Sequence, residues 1–164
     1  MNPTYPHDYR VLFAGEIKPL VVGGQAVNLW AITFLDSGDP SLAVKTYSSD
    51  DMDILDEAKI LKFLETAPGW KFIKRGVQDP FDIRVGRASS TSDDNRALLV
   101  EVVKSVKGLD KEDIVDAWVA YRGTTYRLLD PIALLKAKAA NIRELDQEGP
   151  PPRHDRAHLD LIVR

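Results

Sequence analysis

The apolar residues of this chain fall into short continuous runs and helically spaced sets, and the alternation between the two sketches the elements. Leu20-Val21-Val22 is a continuous run and reads as a short buried strand. The pair Gly23-Gly24 turns it into a helix over 25–35, apolar nearly all round and so expected to lie buried between layers. Upstream, 8–17 reads as a short helix carrying Val11, Leu12 and Phe13 and closed by Pro19. Downstream, 36–40 is a loop, and 42–45 and 51–54 read as strands. Leu55, Ala58, Leu61 and Leu64 share one side of a helix over 55–67 that Pro68-Gly69 stops.

Three strand-like runs follow at 70–74, 81–87 and 97–103, with a polar loop at 88–95 expected to be mobile. A short helix over 111–118 and a strand over 124–129 come next. The clearest helix is 131–148, with Asp130 as N-cap and Pro131 in its first turn. Gly149-Pro150-Pro151-Pro152 is a break, and 154–164 is a final amphipathic piece. A helix that short is marginal alone, so it must dock on the domain or begin something truncated. These elements predict an α/β domain over 1–148, a mixed β-sheet flanked by helices, followed by a Pro-rich break and helical segment over 149–164.

Composition narrows the picture. The 164 residues are 44% hydrophobic and 29% charged, enough for a core and too apolar for a disordered chain. The net charge of −3 excludes a global basic field for nucleic acid, but it is unevenly spread. Residues 1–67 hold 5 Lys/Arg against 10 Asp/Glu, and residues 68–164 hold 17 against 15. With no cysteine, disulfides, thiolate zinc sites and cysteine nucleophiles drop out. The N-terminus is polar and carries prolines, and the longest apolar run is interrupted by Gly23, Gly24, Gln25 and Asn28. No membrane span and a cytoplasmic location are therefore expected.

Two stretches carry candidate chemistry. A strand–Gly-Gly–helix offers free backbone N–H groups and the positive end of a helix dipole, where an anion can sit. Asp51 and Asp53, alternating with Met52 and Ile54, face the same side of a strand and can grip one divalent cation. Held side by side they repel, which favours a cation or a proton between them. The bland alternative is a wet acidic surface made by Asp50, Asp51, Asp53, Asp56 and Glu57. Glu101 sits inside the aliphatic strand 97–103 and needs a partner. A cation shared with Asp51 and Asp53, a Lys or Arg, or an edge position would each serve.

On the long helix, Leu134, Leu145, Ile142, Leu135, Ala139 and Ile132 form an apolar arc that encloses Lys138, with Asn141 at its edge. A lysine there either snorkels or meets a phosphate or a carboxylate. His154 and His158 stand at i, i+4 and read as a surface pair, with Asp155 and Asp160 solvating the segment. Lys71, Lys74, Arg75, Arg84 and Arg87 form either a positive face for RNA or phosphate or the wet side of a sheet.

Taken together these stretches resemble the nucleotidyltransferase superfamily with the polymerase-beta-like catalytic core. The nearest likeness is to the AbiEii toxin-type and aminoglycoside-adenylyltransferase-like small nucleotidyltransferases. Their GG-x-A-x-x-L-W pattern is matched by Gly23-Gly24-Gln25-Ala26-Val27-Asn28-Leu29-Trp30, and T-S-x-D-h-D-h (h, apolar) by 48–54 as Ser-Ser-Asp-Asp-Met-Asp-Ile. V-D-h-h-x-x-V-x-G-L corresponds to 100–109, and P-h-x-L-L-x-x-K-x-x-N to 131–141. The resemblance spans roughly residues 18–145.

It implies that Gly23 and Gly24 hold a triphosphate, with Ser49, Lys138 and Asn141 nearby. It implies that Asp51 and Asp53 bind Mg2+ or Mn2+, and that Glu101 takes a third carboxylate position usually filled by Asp. It implies transfer of a nucleotidyl group from an NTP to an RNA 3′ end such as tRNA, to a protein hydroxyl or to a small molecule. Residues 36–47, longer than in minimal members, would shape the substrate. A degenerate nucleotide-binding module acting through an antitoxin-like protein partner is the alternative.

Overall fold

In the computed structural model, residues 4–34, 49–75, 83–145 and 155–163 are described. The strand expected over 42–45, His154 and the helix end at 146–148 lie outside them. The strands are β1 (Leu20–Val22), β2 (Met52–Leu55), β3 (Lys71–Lys74), β4 (Arg84–Thr91), β5 (Ala97–Val103), β6 (Asp116–Tyr121) and β7 (Thr124–Leu129). The helices are α1 (Gly23–Phe34), α2 (Ile60–Thr66), α3 (Pro131–Leu145) and α4 (Asp155–Ile162). The strands form one mixed sheet in the order β3-β4-β5-β2-β1-β7-β6, and the chain has the expected α/β architecture. The central pair β1–β2 is antiparallel, the parallel pairs β1–β7 and β2–β5 flank it, and antiparallel pairs lie outside these.

One face of the central strands is wholly apolar. Met52 pairs with Val100 and Ile54 with Val102, and all four side chains are buried. Tyr9, Leu12 and Phe13 join the same core, with Phe13 against the Tyr126 ring and Tyr9 stacked on Trp70. The helix expected over 8–17 is in fact a 3-10 helix, Pro6–Phe13. Three residues per turn put Tyr9 and Leu12 on one side and leave Val11 exposed.

Several expected boundaries move, each for a local reason. The helix begins at Gly23 itself. Leu55 belongs to β2, and a left-handed Lys59 precedes α2, which buries Ile60 and Leu64 in place of the expected Leu55–Leu64 stripe. The polar stretch 88–95 is not an open loop. β4 runs on to Thr91, and a tight turn closed by Ser92 N–H to Arg96 O (2.9 Å) leads into β5. Arg10 grips Asp93 and Arg96 grips Asp8, so side chains brace this turn against the N-terminal segment. The helix expected over 111–118 shrinks to one 3-10 turn, Lys111–Asp113, and β6 follows. The two-residue turn Arg122-Gly123, both at positive φ, makes β6 and β7 a hairpin with Tyr121 opposite Thr124.

The C-terminal helix α4 does dock, against α3 and α1. The face that α3 buries is not the full leucine-rich arc expected. Ala133, Leu134, Ala137, Lys138 and Ala140 are buried, whereas Ile132 is 67% exposed and Ala139 is exposed. Small side chains let neighbours approach closely: Gly108 lies against Ala140 with no room for a Cβ. Among the described residues no helix is long and apolar enough to cross a membrane.

Candidate active site

The strand registers build the site. Asp53 on β2 stands opposite Glu101 on β5, which stands opposite Arg87 on β4. Residues directly opposite share a sheet face, so an acid, an acid and a cation form one row across three strands. Asp51, two residues before Asp53, shares that face. Ligand oxygens of Asp51, Asp53 and Glu101 all lie within 4.8 Å of one another. The alternation with buried Met52 and Ile54 is what aims the two aspartates together.

Gly23 brings the backbone to this cluster. It follows Val22, which is opposite Asp53, and adopts φ +67°. A Cβ at this position would collide with Asp53 Oδ2, so glycine is required both by conformation and by space. Ser49 and His158 flank Gly24, each 3.1 Å (Oγ and Cε1) from where its Cβ would stand. Ser49 is fixed by a two-way backbone bridge to Thr4 (2.9 and 3.0 Å) and accepts from Thr4 Oγ1 at 2.6 Å. Thr4 also bonds the Tyr9 hydroxyl and accepts from Gln25, whose Oε1 accepts from Asn28. This buried polar chain ties the start of the protein to the segment leading into Asp51.

The charge at the cluster is only partly compensated. Burial, then Asp51 and Glu101, push the Asp53 carboxyl up to about 7 against the pull of Lys138 and Arg84. Burial, then Glu101 and Asp50, also raise Asp51, with Arg87 opposing. Glu101, 8% exposed, accepts from Arg87 Nη2 at 2.6 Å, and Arg84 Nη1 lies 3.5 Å from the same oxygen, Oε1. An arginine partner is therefore present where a shared cation was the first expectation. Arg84 and Arg87 point into the acid cluster, so they are neither an open basic face nor simply the wet side of a sheet. Lys71 and Lys74 are exposed. Of the other nearby acids, Glu57 grips Arg127 at 2.6 and 3.1 Å.

Lys138 does meet a carboxylate, one the sequence reading had assigned to solvent. Its Nζ lies 2.8 Å from Asp155 Oδ1, the two side chains only 8% and 5% exposed. Asn141 Nδ2 donates to that same oxygen at 3.3 Å. Asp155 and His158 are thus buried, not solvating surface groups, and α4 supplies a wall beside the glycine pair. Each had a weak signal. Asp155 and His158 fall on one side of an amphipathic helix, and Gln25 and Asn28 stand i, i+3 in an otherwise apolar one.

The donor set suits a hard divalent cation: three carboxylates in reach of one another, two of them, Asp51 and Asp53, with raised proton affinities that a cation would relieve. Asp51, Asp53 and Glu101 are the residues that would hold it.

No family model and no curated protein matches this chain. Among solved structures it is similar to an antigenic nucleotidyltransferase-like protein from Paracoccidioides brasiliensis, with a TM-score of 0.55 and 16% identity over 99% of this chain and 77% of that one. At that identity the likeness concerns the fold, and it does not reach the narrower AbiEii or aminoglycoside-adenylyltransferase-like grouping. The chain has a nucleotidyltransferase-like fold.

Proposed function

We propose that this protein is a divalent-cation-dependent nucleotidyltransferase that moves a nucleoside monophosphate from an NTP to a hydroxyl acceptor. The observation that carries the reading is the convergence of Asp51, Asp53 and Glu101, distant in sequence, within 4.8 Å of one another beside the Gly23 bend. Asp51 and Asp53 offer oxygens from one strand face, and Glu101 offers a third carboxylate, whose Oε1 Arg84 and Arg87 meet. Phosphate oxygens would meet the first N–H groups of α1, which opens at Gly23-Gly24 beside the cluster. Ser49, fixed by Thr4, lies against Gly24, and Lys138 and Asn141, held by Asp155 on the same helix as His158, would complete that end. Mg2+ or Mn2+, when bound, supplies neutralisation of the phosphates and a lower pKa for the attacking hydroxyl. An RNA 3′ end such as tRNA, a protein hydroxyl or a small molecule would each serve as acceptor.

The test is incubation with α-labelled NTPs, Mg2+ and a pool of tRNA and protein. Label should pass to an acceptor with the parent chain and fall by at least about a hundredfold with Asp51→Asn plus Asp53→Asn, the order of effect of losing electrostatic stabilisation. Equal labelling by the double variant would refute the mechanism. The ion pair at Glu101 favours one second reading: a nucleotide-binding module without transferase activity, acting through an antitoxin-like protein partner. That reading expects a metal-dependent rise in Tm with NTP and no label transfer.

A further inference from the structure

The two arginines on Glu101 are set there by a specific distortion. On an undisturbed strand, residues three apart face opposite sides, so Arg84 and Arg87 would diverge. Between Arg84 and Gly86 the register of β4 against β5 shifts: Arg84 stands opposite Val103, Gly86 opposite Val102 and Arg87 opposite Glu101. Val85 is the extra residue of a bulge, and the bulge returns Arg84 to the face of Arg87. Gly86 is what the bulge tolerates, because the Phe72 ring from β3 fills the space its Cβ would need. Both guanidinium groups then converge on Oε1 of one largely buried carboxylate. Arg87 nevertheless keeps 42% of its side chain exposed, while its Nε is buried with no hydrogen-bond partner.

The charge count follows. Fully ionised, Asp51, Asp53 and Glu101 carry three negative charges; Arg84 and Arg87 bring two positive ones to the Glu101 end. A divalent ion at the Asp51–Asp53 end meets two carboxylates that, among the described residues, no salt bridge engages. A second divalent ion at the Glu101 end would displace or repel two fixed guanidinium charges and find one carboxylate oxygen already taken.

We propose that Arg87, backed by Arg84, takes the place of a second cation, so that the site holds one divalent ion at Asp51 and Asp53. Arg87 there presents a permanent positive charge to an incoming phosphate. This rests on the reading of the site as a cation-dependent one, and it concerns how many ions the chain holds.

The test is electron paramagnetic resonance of the full chain titrated with excess Mn2+, with and without inorganic tripolyphosphate as a base-free polyphosphate probe. The parent chain and Arg87→Lys should bind one Mn2+ with the spectrum of an isolated ion. Arg84→Gln plus Arg87→Gln should bind two, their spectra broadened by each other. A magnetically interacting pair in the parent overturns the proposal, and so does a single ion in the double Gln variant that circular dichroism shows to be folded. No site-specific Mn2+ in the parent, with Asp51→Asn plus Asp53→Asn giving the same trace, overturns the metal reading itself.

Discussion

Gly23 is the residue at which backbone and chemistry are least separable. Replacing it with Ala places a Cβ at positive φ and against the Asp53 carboxylate. We expect Gly23→Ala to lose about 1–3 kcal/mol of stability from the backbone alone. It should also weaken Mn2+ binding, whereas Gly24→Ala, facing only Ser49 and His158 side-chain atoms, should do less. Urea denaturation and calorimetric titration read the two effects.

Asp53 carries a pH signature. In the folded chain burial and its neighbouring acids push its carboxyl up to about 7, against 3.8 for an unperturbed aspartate. Between those values the folded chain keeps a proton that the unfolded chain has lost. Its contribution to stability is whole below the lower value and is lost as pH rises to the upper one. The metal-free Tm should fall across that window, and Asp53→Asn should flatten the fall. Mn2+ affinity should climb over the same range, since the ion and the proton compete.

Among elements, α3 and α4 share the buried pair Lys138–Asp155. Removing one partner leaves a buried charge uncompensated, so Lys138→Met or Asp155→Asn should each cost about 3–5 kcal/mol in urea denaturation. The double variant should cost less than the two singles added together, because neither charge is then stranded. This pair also shows where reading by element reaches its limit. The periodicity of α3 placed Lys138 correctly inside a buried arc, but Ile132 and Ala139, assigned to the same arc, are exposed. Leucines outweigh alanines in any apolar pattern, yet it is the alanine side that neighbouring backbone can approach. β6 was hidden similarly: Lys111–Trp118 has passable helical spacing, and the Arg122-Gly123 hairpin turn that decides for a strand lies beyond that window.

At the scale of the molecule, the segment after the Pro-rich break is part of the domain's packing. Leu161 joins the core, and Asp155 and His158 are buried with it. A chain ending at residue 148 should leave Lys138 without its carboxylate and uncover that apolar surface. We expect a lower Tm, dye binding to exposed hydrophobic surface and a broader transition; an unchanged melting curve would show that α4 contributes nothing to the fold.

The strand–Gly-Gly–helix, the paired aspartates on one strand face and the mixed α/β layout are legible from residue order, because each rests on local periodicity or on what glycine alone permits. Residue order also marked Glu101 and Lys138 as charges in apolar surroundings that required partners. The folded chain supplies those partners: Arg84 and Arg87, aligned by a bulge in β4, and Asp155, carried in by a helix from beyond the break. Burial makes a partner obligatory, but which residue supplies it depends on strand register and helix docking. Both are long-range properties that local spacing does not encode.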